Sequence, residues 1–547
     1  MVRTTQRTHL ETCAQVYCED AGRLGTLSYL VPADMQVRVG DAVRVPFGKS
    51  ERRGVVVGAG DAALATRPIT EVYGQRVNSI EIDLALELAA LHGVPFTQIA
   101  PRLAPRTRRG NPALDAGDLA LLPGATYDDW NYTPSEHPRI VAACAPLVDP
   151  YRFAALEAHR MVAQAAQAGN AGQVLVLCPT KTVVTKVLKQ FDGGAARLDV
   201  VPKVGAMSPW AGMMAGTVSV GVSTRASALW SCQNLVGVVV VDEAHPGFIE
   251  AAQPNTNAAL VAARRANLRD IACTLVAGVP SPAALGAKVK CVKVGEASMF
   301  PDVQVLDRST SAPSHRAIPP SLHAAVRDST LPTLVVAPAK AARFRCRVCK
   351  QISLDETCAK CAVPGVRTSR DPEAMVASFA RRGLDVESCT VGELLAARTK
   401  NPVHVVLFDI DSLESFAEMY PGQTAARVLY SACRRAGSGG QVTVMTAELD
   451  TAAISHLARR KDLIGLAKWR WEDARQAKLP PFVSMAHIET RRSAAPRRPG
   501  VGRVLGPKLR SDGEWEMRIL FTDTELAAVH RYVASLRRGG KVRVAFS

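Results

Sequence analysis

The chain has 547 residues, with 67 Lys and Arg against 50 Asp and Glu, a formal net charge of +17, and 47% hydrophobic content. At about 100–200 residues per domain this is several domains with ample apolar content for buried cores, which excludes disorder throughout. The longest apolar run, LVGVVVV at 235–241, is far short of the ~20 residues of a membrane span, and the opening MVRTTQRTHLETC lacks the apolar centre of a secretory signal. No membrane partner is expected, the cytoplasm is the default compartment, and the basic excess suggests a polyanionic partner.

In chain order, residues 26–32 read as a strand ended by Pro32. Residues 37–48 place valines at or near every second position around a Gly40-Asp41 turn, and 54–58 give another short strand. Short strands at this spacing predict a small β-barrel or sandwich. A helix is expected over 80–91, and the Pro/Arg-rich stretch 101–112 marks a boundary. From about residue 146 helices alternate with apolar runs: helix 152–168, strand 173–178, helix 181–191, then buried-strand candidates at 217–222, 236–241 and 271–277. Continuous β-branched runs separated by helices predict a parallel sheet covered on both faces. A second such region runs through 333–337, 403–409 and 441–445, interrupted by a cysteine-rich insert, and about 480–547 reads as a small α+β unit. The expected division is 1–110, a linker over 111–145, lobes over 146–298 and 299–479 with an insert at 344–364, and a C-terminal domain over 480–547. Residues 491–547 hold 13 Lys and Arg against 5 Asp and Glu. The stretch from Arg491-Arg492 to Arg497-Arg498 is then either a solvated loop or a phosphate-contacting one.

The clearest chemical signal is Cys346-Arg-Val-Cys349 followed, after eight residues, by Cys358-Ala-Lys-Cys361. Two such knuckles can hold one tetrahedral Zn²⁺ on four thiolates, with Arg345, Arg347, Lys350 and Lys360 offsetting the charge. Four sulfurs leave no open coordination position, so the metal is expected to be structural. The other nine cysteines show no ligand spacing and are expected to be buried thiols. The second signal is Asp242-Glu243-Ala-His245 at the end of an apolar run, the place where nucleotide hydrolases direct one carboxylate at Mg²⁺ and the next at the attacking water. A phosphate loop should precede the helix at 152–168, yet that place reads Ala145-Pro-Leu-Val-Asp-Pro-Tyr-Arg152. It has no glycine, two prolines remove amide donors, and no lysine occurs between Lys49 and Lys181. Asp149 would add negative charge beside a triphosphate. Asp242 and Glu243 therefore read more readily as an idle pair than as a working one, and ATP with Mg²⁺ is not an expected cofactor.

These pieces, in this order, resemble the PriA family of primosomal N′ proteins, which restart bacterial replication forks. YLVP…VGDAVRVPFGKSERRGVVVG at 29–58 is similar to the family's 3′-DNA-end-binding domain, and SVGVSTRASALW…NLVGVVVVDEAHPGFIE from 219 to its first motor lobe. HVVLFDIDSL at 404–413, KLPPF at 478–482 and VLGP at 504–507 resemble its second lobe and C-terminal domain. The resemblance implies two RecA-like lobes, a β-rich DNA domain, a zinc-knuckle insert, and DNA contacts at Tyr29, Gly48, Lys49, Arg52, Arg53 and Arg225. Departures accompany it. Ser28 stands where the family has an aspartate, Ser438 where it has a terminal arginine finger after Arg435, and 111–145 where it has a winged helix. One knuckle set implies one zinc. Together they resemble the ATPase-degenerate form of actinobacteria or their phages. The expected function is binding of forked or single-stranded DNA and recruitment of primosome or helicase-loading proteins without ATP hydrolysis. An active ATP-dependent 3′→5′ helicase and a protein-interaction scaffold stand as alternatives.

Overall fold

The computed structural model describes the chain apart from residues 1–8, 11, 20–24, 106–111, 201, 204, 251, 287–288, 309–317, 338–343, 347, 350–351, 354–356, 368–371, 397–400, 409, 415–419, 421, 511–512 and 547. Arg347, Lys350, Asp409 and part of the expected linker thus lie outside the described residues.

The N-terminal domain is a five-stranded antiparallel sheet of β1 (Cys13–Cys18), β2 (Thr26–Leu30), β3 (Asp41–Phe47), β4 (Ser50–Ala59) and β5 (Glu71–Gln75), in the order β2-β1-β4-β3-β5. Alternation explains it: Val43 and Val45 point into a core with Val16, Val37 and Val56, while Arg44 between them points out. Helix α1 (Ser79–His92) leaves this sheet and ends at Gly93 in the left-handed region. A Cβ there would lie 2.9 Å from the His530 ring, so the C-terminal domain can approach this closely only at a glycine.

The first lobe is a seven-stranded, wholly parallel sheet. Its elements are β6 (Arg139–Cys144), α2 (Pro150–Gln167), β7 (Gln173–Leu177), α3 (Lys181–Leu188), β8 (Ala195–Arg197), β9 (Val220–Ser223), β10 (Leu235–Val241), α4 (Ala258–Arg269), β11 (Ala272–Ala277) and β12 (Lys290–Val294). The strand order is β8-β9-β7-β10-β11-β6-β12. The valines of β10 are buried on both faces, as a doubly covered parallel strand requires. One expectation is corrected. Residues 139–144, placed in the linker, form β6 between β11 and β12, and Ala120–Leu121 pairs antiparallel with Phe191–Gly193. Pro138 and Pro146 bracket the short run and disguise it as a connector.

The second lobe is a five-stranded parallel sheet of β13 (Asp302–Asp307), β14 (Thr333–Ala337), β15 (Glu387–Thr390), β16 (His404–Leu407) and β17 (Gln441–Thr446), ordered β13-β17-β16-β14-β15. Helix α5 (Gln423–Ala436) precedes β17 and buries Ala425, Ala426, Val428, Leu429, Ala432, Cys433 and Ala436, the recurrence of a helix covering a sheet. The architecture is thus the expected pair of parallel α/β lobes behind a β-rich N-terminal domain. Helix α6 (Leu463–Gln476) leads to the C-terminal domain, an antiparallel sheet of β18 (Ser484–Thr490), β19 (Arg503–Leu509), β20 (Trp515–Phe521) and β21 (Val542–Phe546) packed on α7 (Leu526–Arg538). Among the described residues no helix is long and apolar enough to cross a membrane.

Helix α1 joins three of these bodies. Glu81, fully buried, bridges Arg265 at 2.7 Å and Arg269 at 2.8 Å on α4 of the first lobe. Arg265 also donates to the carbonyls of Ala228 and Trp230. At the helix start the Asn78 amide donates to Ser231 Oγ, and at its end the Leu91 carbonyl accepts from His530 Nε2.

Candidate DNA surface, interlobe cleft and metal site

The β3–β4 hairpin turns at Gly48, whose φ is 60°, and exposes Lys49 at its tip. The register sets Arg53 opposite Arg44 and Arg52 opposite Val45. Neighbours on a strand point to opposite faces, so the two expected DNA contacts part company. The Arg52 guanidinium lies 5.0 Å from the Phe47 ring centroid near the hairpin tip. Arg53 lies 4.9 Å from the Tyr73 centroid, on the face where Arg44 donates to Tyr73 Oη and bridges Glu51 and Glu71. Arg67 donates to the Gly48 carbonyl at 2.8 Å, a contact that the sequence did not announce. Tyr29 is turned inward. It is 4% exposed, and its hydroxyl donates to the Pro46 carbonyl, so its ring supports the sheet beneath the hairpin. Burial, helped by Cys18, pushes its phenol above the usual range. Ser28 Oγ accepts from the Asp61 amide. Arg225 sits far along the chain in the turn after β9, pairing with Glu250 at 3.4 Å and donating to the Gly247 carbonyl.

The carboxyl ends of parallel strands are where open α/β sheets bind ligands. Here β6 runs into the 145–149 turn and then α2, with Pro150 in its first turn. Asp149 caps that helix: its Oδ1 accepts from the Tyr151 amide at 2.9 Å and the Arg152 amide at 3.4 Å. These are amides that an anion at a helix start would use, and a carboxylate of the chain already takes them. Arg152 points away, bridging Asp129 at 2.7 Å and lying over the Trp130 ring. At the end of β10, Asp242 has a φ of 56°, an uncommon conformation for a residue with a Cβ. Glu243 is 4% exposed and accepts from the Ser281 amide at 2.7 Å and hydroxyl at 2.9 Å. Burial pushes its carboxyl up to about 7, against the pull of those donors. His245 turns back to accept from the Gly247 amide on Nδ1.

Helix α5 of the second lobe faces this edge. Tyr430 Oη donates to the Cys144 carbonyl at the end of β6, at 2.9 Å. Its ring lies over Gly278, where a Cβ would come within 2.1 Å of Tyr430 Cε1. Arg434, one turn on, is in electrostatic reach of Tyr151, Asp242 and Asp149, and Arg427 of Glu243 and His245. Sequence reasoning marked Asp149, Asp242 and Glu243; it missed Tyr430, Arg434 and Ser281. Asp149-Pro150 ahead of an apolar helix is the cap signal that could have revealed the carboxylate's role.

Cys346, Cys349, Cys358 and Cys361 converge, with all four sulfurs within 4.8 Å of one another. A metal held at about 2.3 Å by tetrahedral sulfurs needs sulfur separations of about 3.8 Å, and Cys349 and Cys358 stand 3.6 Å apart. The Val348 amide donates to Cys346 Sγ at 3.4 Å, and the backbone amide of Cys349 chiefly pulls the Cys346 thiol down to about 6. The hydrogen bond to Cys349 pushes the Cys361 thiol the other way, up to about 12, so it is Cys346 that favours the thiolate a metal such as zinc requires.

A family model of the PriA 3′ DNA-binding domain matches residues 20–95, from the end of β1 through α1. None of the curated proteins matches the chain. Among solved structures, the DUF1998 helicase MrfA bound to DNA aligns at 14% identity and a TM-score of 0.30, over 59% of this chain and 48% of that one. This chain thus spans about half that helicase's length. Mss116p bound to single-stranded RNA and AMP-PNP aligns at 13% identity and 0.32, over 62% and 73%. The DExH-box NTPase HrpB of Escherichia coli aligns at 11% identity and 0.29, over 57% and 39%. The N-terminal domain is similar to the 3′-DNA-binding domain of PriA.

Proposed function

We propose that this is a PriA-like DNA-binding protein that recognises forked or single-stranded DNA and assembles replication-restart partners on two lobes that do not hydrolyse ATP. The domains proposed for it are those expected from the sequence, with the first lobe now beginning at Arg139. The observation that carries the reading is a join: a domain similar to the PriA 3′-DNA module is docked by buried charges onto a lobe whose α2 amides are capped by its own Asp149. Phosphoryl transfer depends almost wholly on positioning and charge neutralisation, so a carboxylate at the phosphate position removes both binding and rate. Asp242 and Glu243 then remain as structural groups, and Glu243 anchors the turn after β11 through Ser281. Lys49 and Arg52 at the hairpin tip are the proposed phosphate contacts, and the Cys346, Cys349, Cys358 and Cys361 set holds one structural zinc. The test is ATP hydrolysis by the purified chain with and without forked DNA, beside Glu243→Gln. No turnover in either is the expected result. Fork-stimulated turnover that Glu243→Gln abolishes would overturn the reading in favour of a 3′→5′ helicase.

A further inference from the structure

We infer that helix α5 fills the interlobe cleft in place of a nucleotide, with Tyr430 and the apolar core around it holding the two lobes closed by themselves. This rests on the silent-motor reading and adds to it a conformational state. In hinged two-lobe proteins a ligand closes the lobes because it makes contacts with both that neither lobe makes alone. Here those contacts are internal. On the first-lobe side, Asp149 supplies the anion at the start of α2. On the second-lobe side, Tyr430 spans the gap, with its hydroxyl on the Cys144 carbonyl and its ring over Gly278. Arg434 adds a cation in electrostatic reach of Asp149 and Asp242, both on the first lobe.

Around this pair the packing is continuous. Val148 and Val279 of the first lobe share one apolar core with Ala426, Leu429 and Tyr430 of the second. Tyr430 is 7% exposed, so the side chain spanning the cleft is itself out of water. A ligand would have to displace an aromatic ring, a buried hydrogen bond and part of that core before reaching α2. Closure is therefore the resting state of the chain, and the surface formed across both lobes is permanently available to a partner.

Hydrogen exchange on the full chain tests this, read on peptides covering 139–153, 274–281 and 423–438. Without nucleotide these segments should be protected, and Mg²⁺ with AMP-PNP should leave their exchange unchanged. Tyr430→Phe keeps the ring and loses one buried hydrogen bond, so exchange there should rise about five-fold. Tyr430→Ala should raise it about a hundred-fold or more in all three segments. Fast exchange in the wild type, or exchange unaltered by Tyr430→Phe in a protein of native circular dichroism, overturns the inference. AMP-PNP that slows exchange in a chain that still hydrolyses no ATP overturns the closure and spares the silent-motor reading; ATP turnover overturns the reading on which the closure rests.

Discussion

Against the N-terminal domain the first lobe presents two guanidinium groups, Arg265 and Arg269, to the buried carboxylate of Glu81. Against the second lobe it presents a carbonyl, a glycine and apolar side chains to Tyr430. Each junction also holds a buried glutamate, and the two are driven in opposite directions. Burial alone would raise Glu81, yet Arg265 and Arg269 outweigh it and hold the carboxylate below its usual range. Among the described residues Glu243 accepts from the neutral amide and hydroxyl of Ser281, and burial carries it up to about 7. A junction of paired charges fixes orientation, because a rotated domain would strand a charge in the interior. A junction of packed apolar groups tolerates small shifts and yields by degrees. The DNA domain is thus set at one angle to the lobe, while the lobes are held together by area.

The largest expected effect lies outside both junctions and serves as their control. Structural zinc contributes apparent binding energies of about 10–16 kcal/mol in small knuckle folds. Chelation, or Cys346→Ser, should therefore unfold the insert between β14 and β15 while leaving both junctions intact. Elemental analysis should give one metal per chain in the wild type and none in the variant. Two metals per chain would mean a second site, and limited proteolysis that cuts at α1 rather than the insert would mean the control is invalid.

Next comes the charged junction. Removing one partner from a buried ion set costs about 3–5 kcal/mol, because the remaining charge is left unpaired. Arg265→Ala should thus undock the N-terminal domain, read as protease sensitivity between 76 and 103. Replacing Glu81, Arg265 and Arg269 together with leucine, methionine and methionine should recover most of the loss. Acid should act like the single variant. Because the folded Glu81 carboxyl is depressed, its contribution is complete above the ordinary value of 4.5 and fades as the pH falls through the folded one. Docking that survives Arg265→Ala would show that the apolar contacts of α1 suffice.

Glu243 gives the opposite pH dependence and a smaller effect. Its folded value of about 7 lies above the ordinary 4.5, so its contribution is complete below 4.5 and is lost as the pH rises through 7. That shift corresponds to about 3 kcal/mol at the most. Glu243→Gln should accordingly raise the melting temperature at pH 8 and change it little at pH 5. A variant destabilised at both would mean that the charged carboxylate is needed in the fold, contrary to its burial among neutral donors.

These junctions also mark how far the sequence could be read. The buried β-branched runs, the paired knuckles and the Asp149-Pro150 start of α2 are local patterns, each contained within sixteen residues or fewer. Glu81 gives no such signal, since its partners lie 184 and 188 residues away on another domain. Tyr430 and Cys144 are 286 residues apart. Strand β6 is hidden for a different reason: six buried residues between two prolines satisfy a linker as readily as a strand until the neighbouring strands are known. Of the expected DNA contacts, the sequence identified the hairpin but not its faces, because register decides which of Arg52 and Arg53 stands beside Arg44.

The smallest effect on stability separates the DNA surface from the junction beneath it. Lys49, Arg52 and Arg53 stand on the β3–β4 hairpin, Lys49 exposed and the two arginines half-buried, and substitutions outside a core change stability within about 0.5 kcal/mol. Their effect should fall on DNA alone. A lysine or arginine that contacts a phosphate adds about 1 to the slope of affinity against salt. Lys49 and Arg52 share the hairpin tip, whereas Arg53 packs on Tyr73 on the far side of the strand, beside Arg44 and its two glutamates. One extended strand of DNA following the tip can reach the first two together. Lys49→Ala with Arg52→Ala should then lower the salt slope by about 2 and weaken fork binding across sequences, while Arg53→Ala alone should do neither. Equal losses from both variants would mean that the DNA wraps the hairpin and meets both faces. No loss from either would move the site to the arginines of the C-terminal stretch at 491–498.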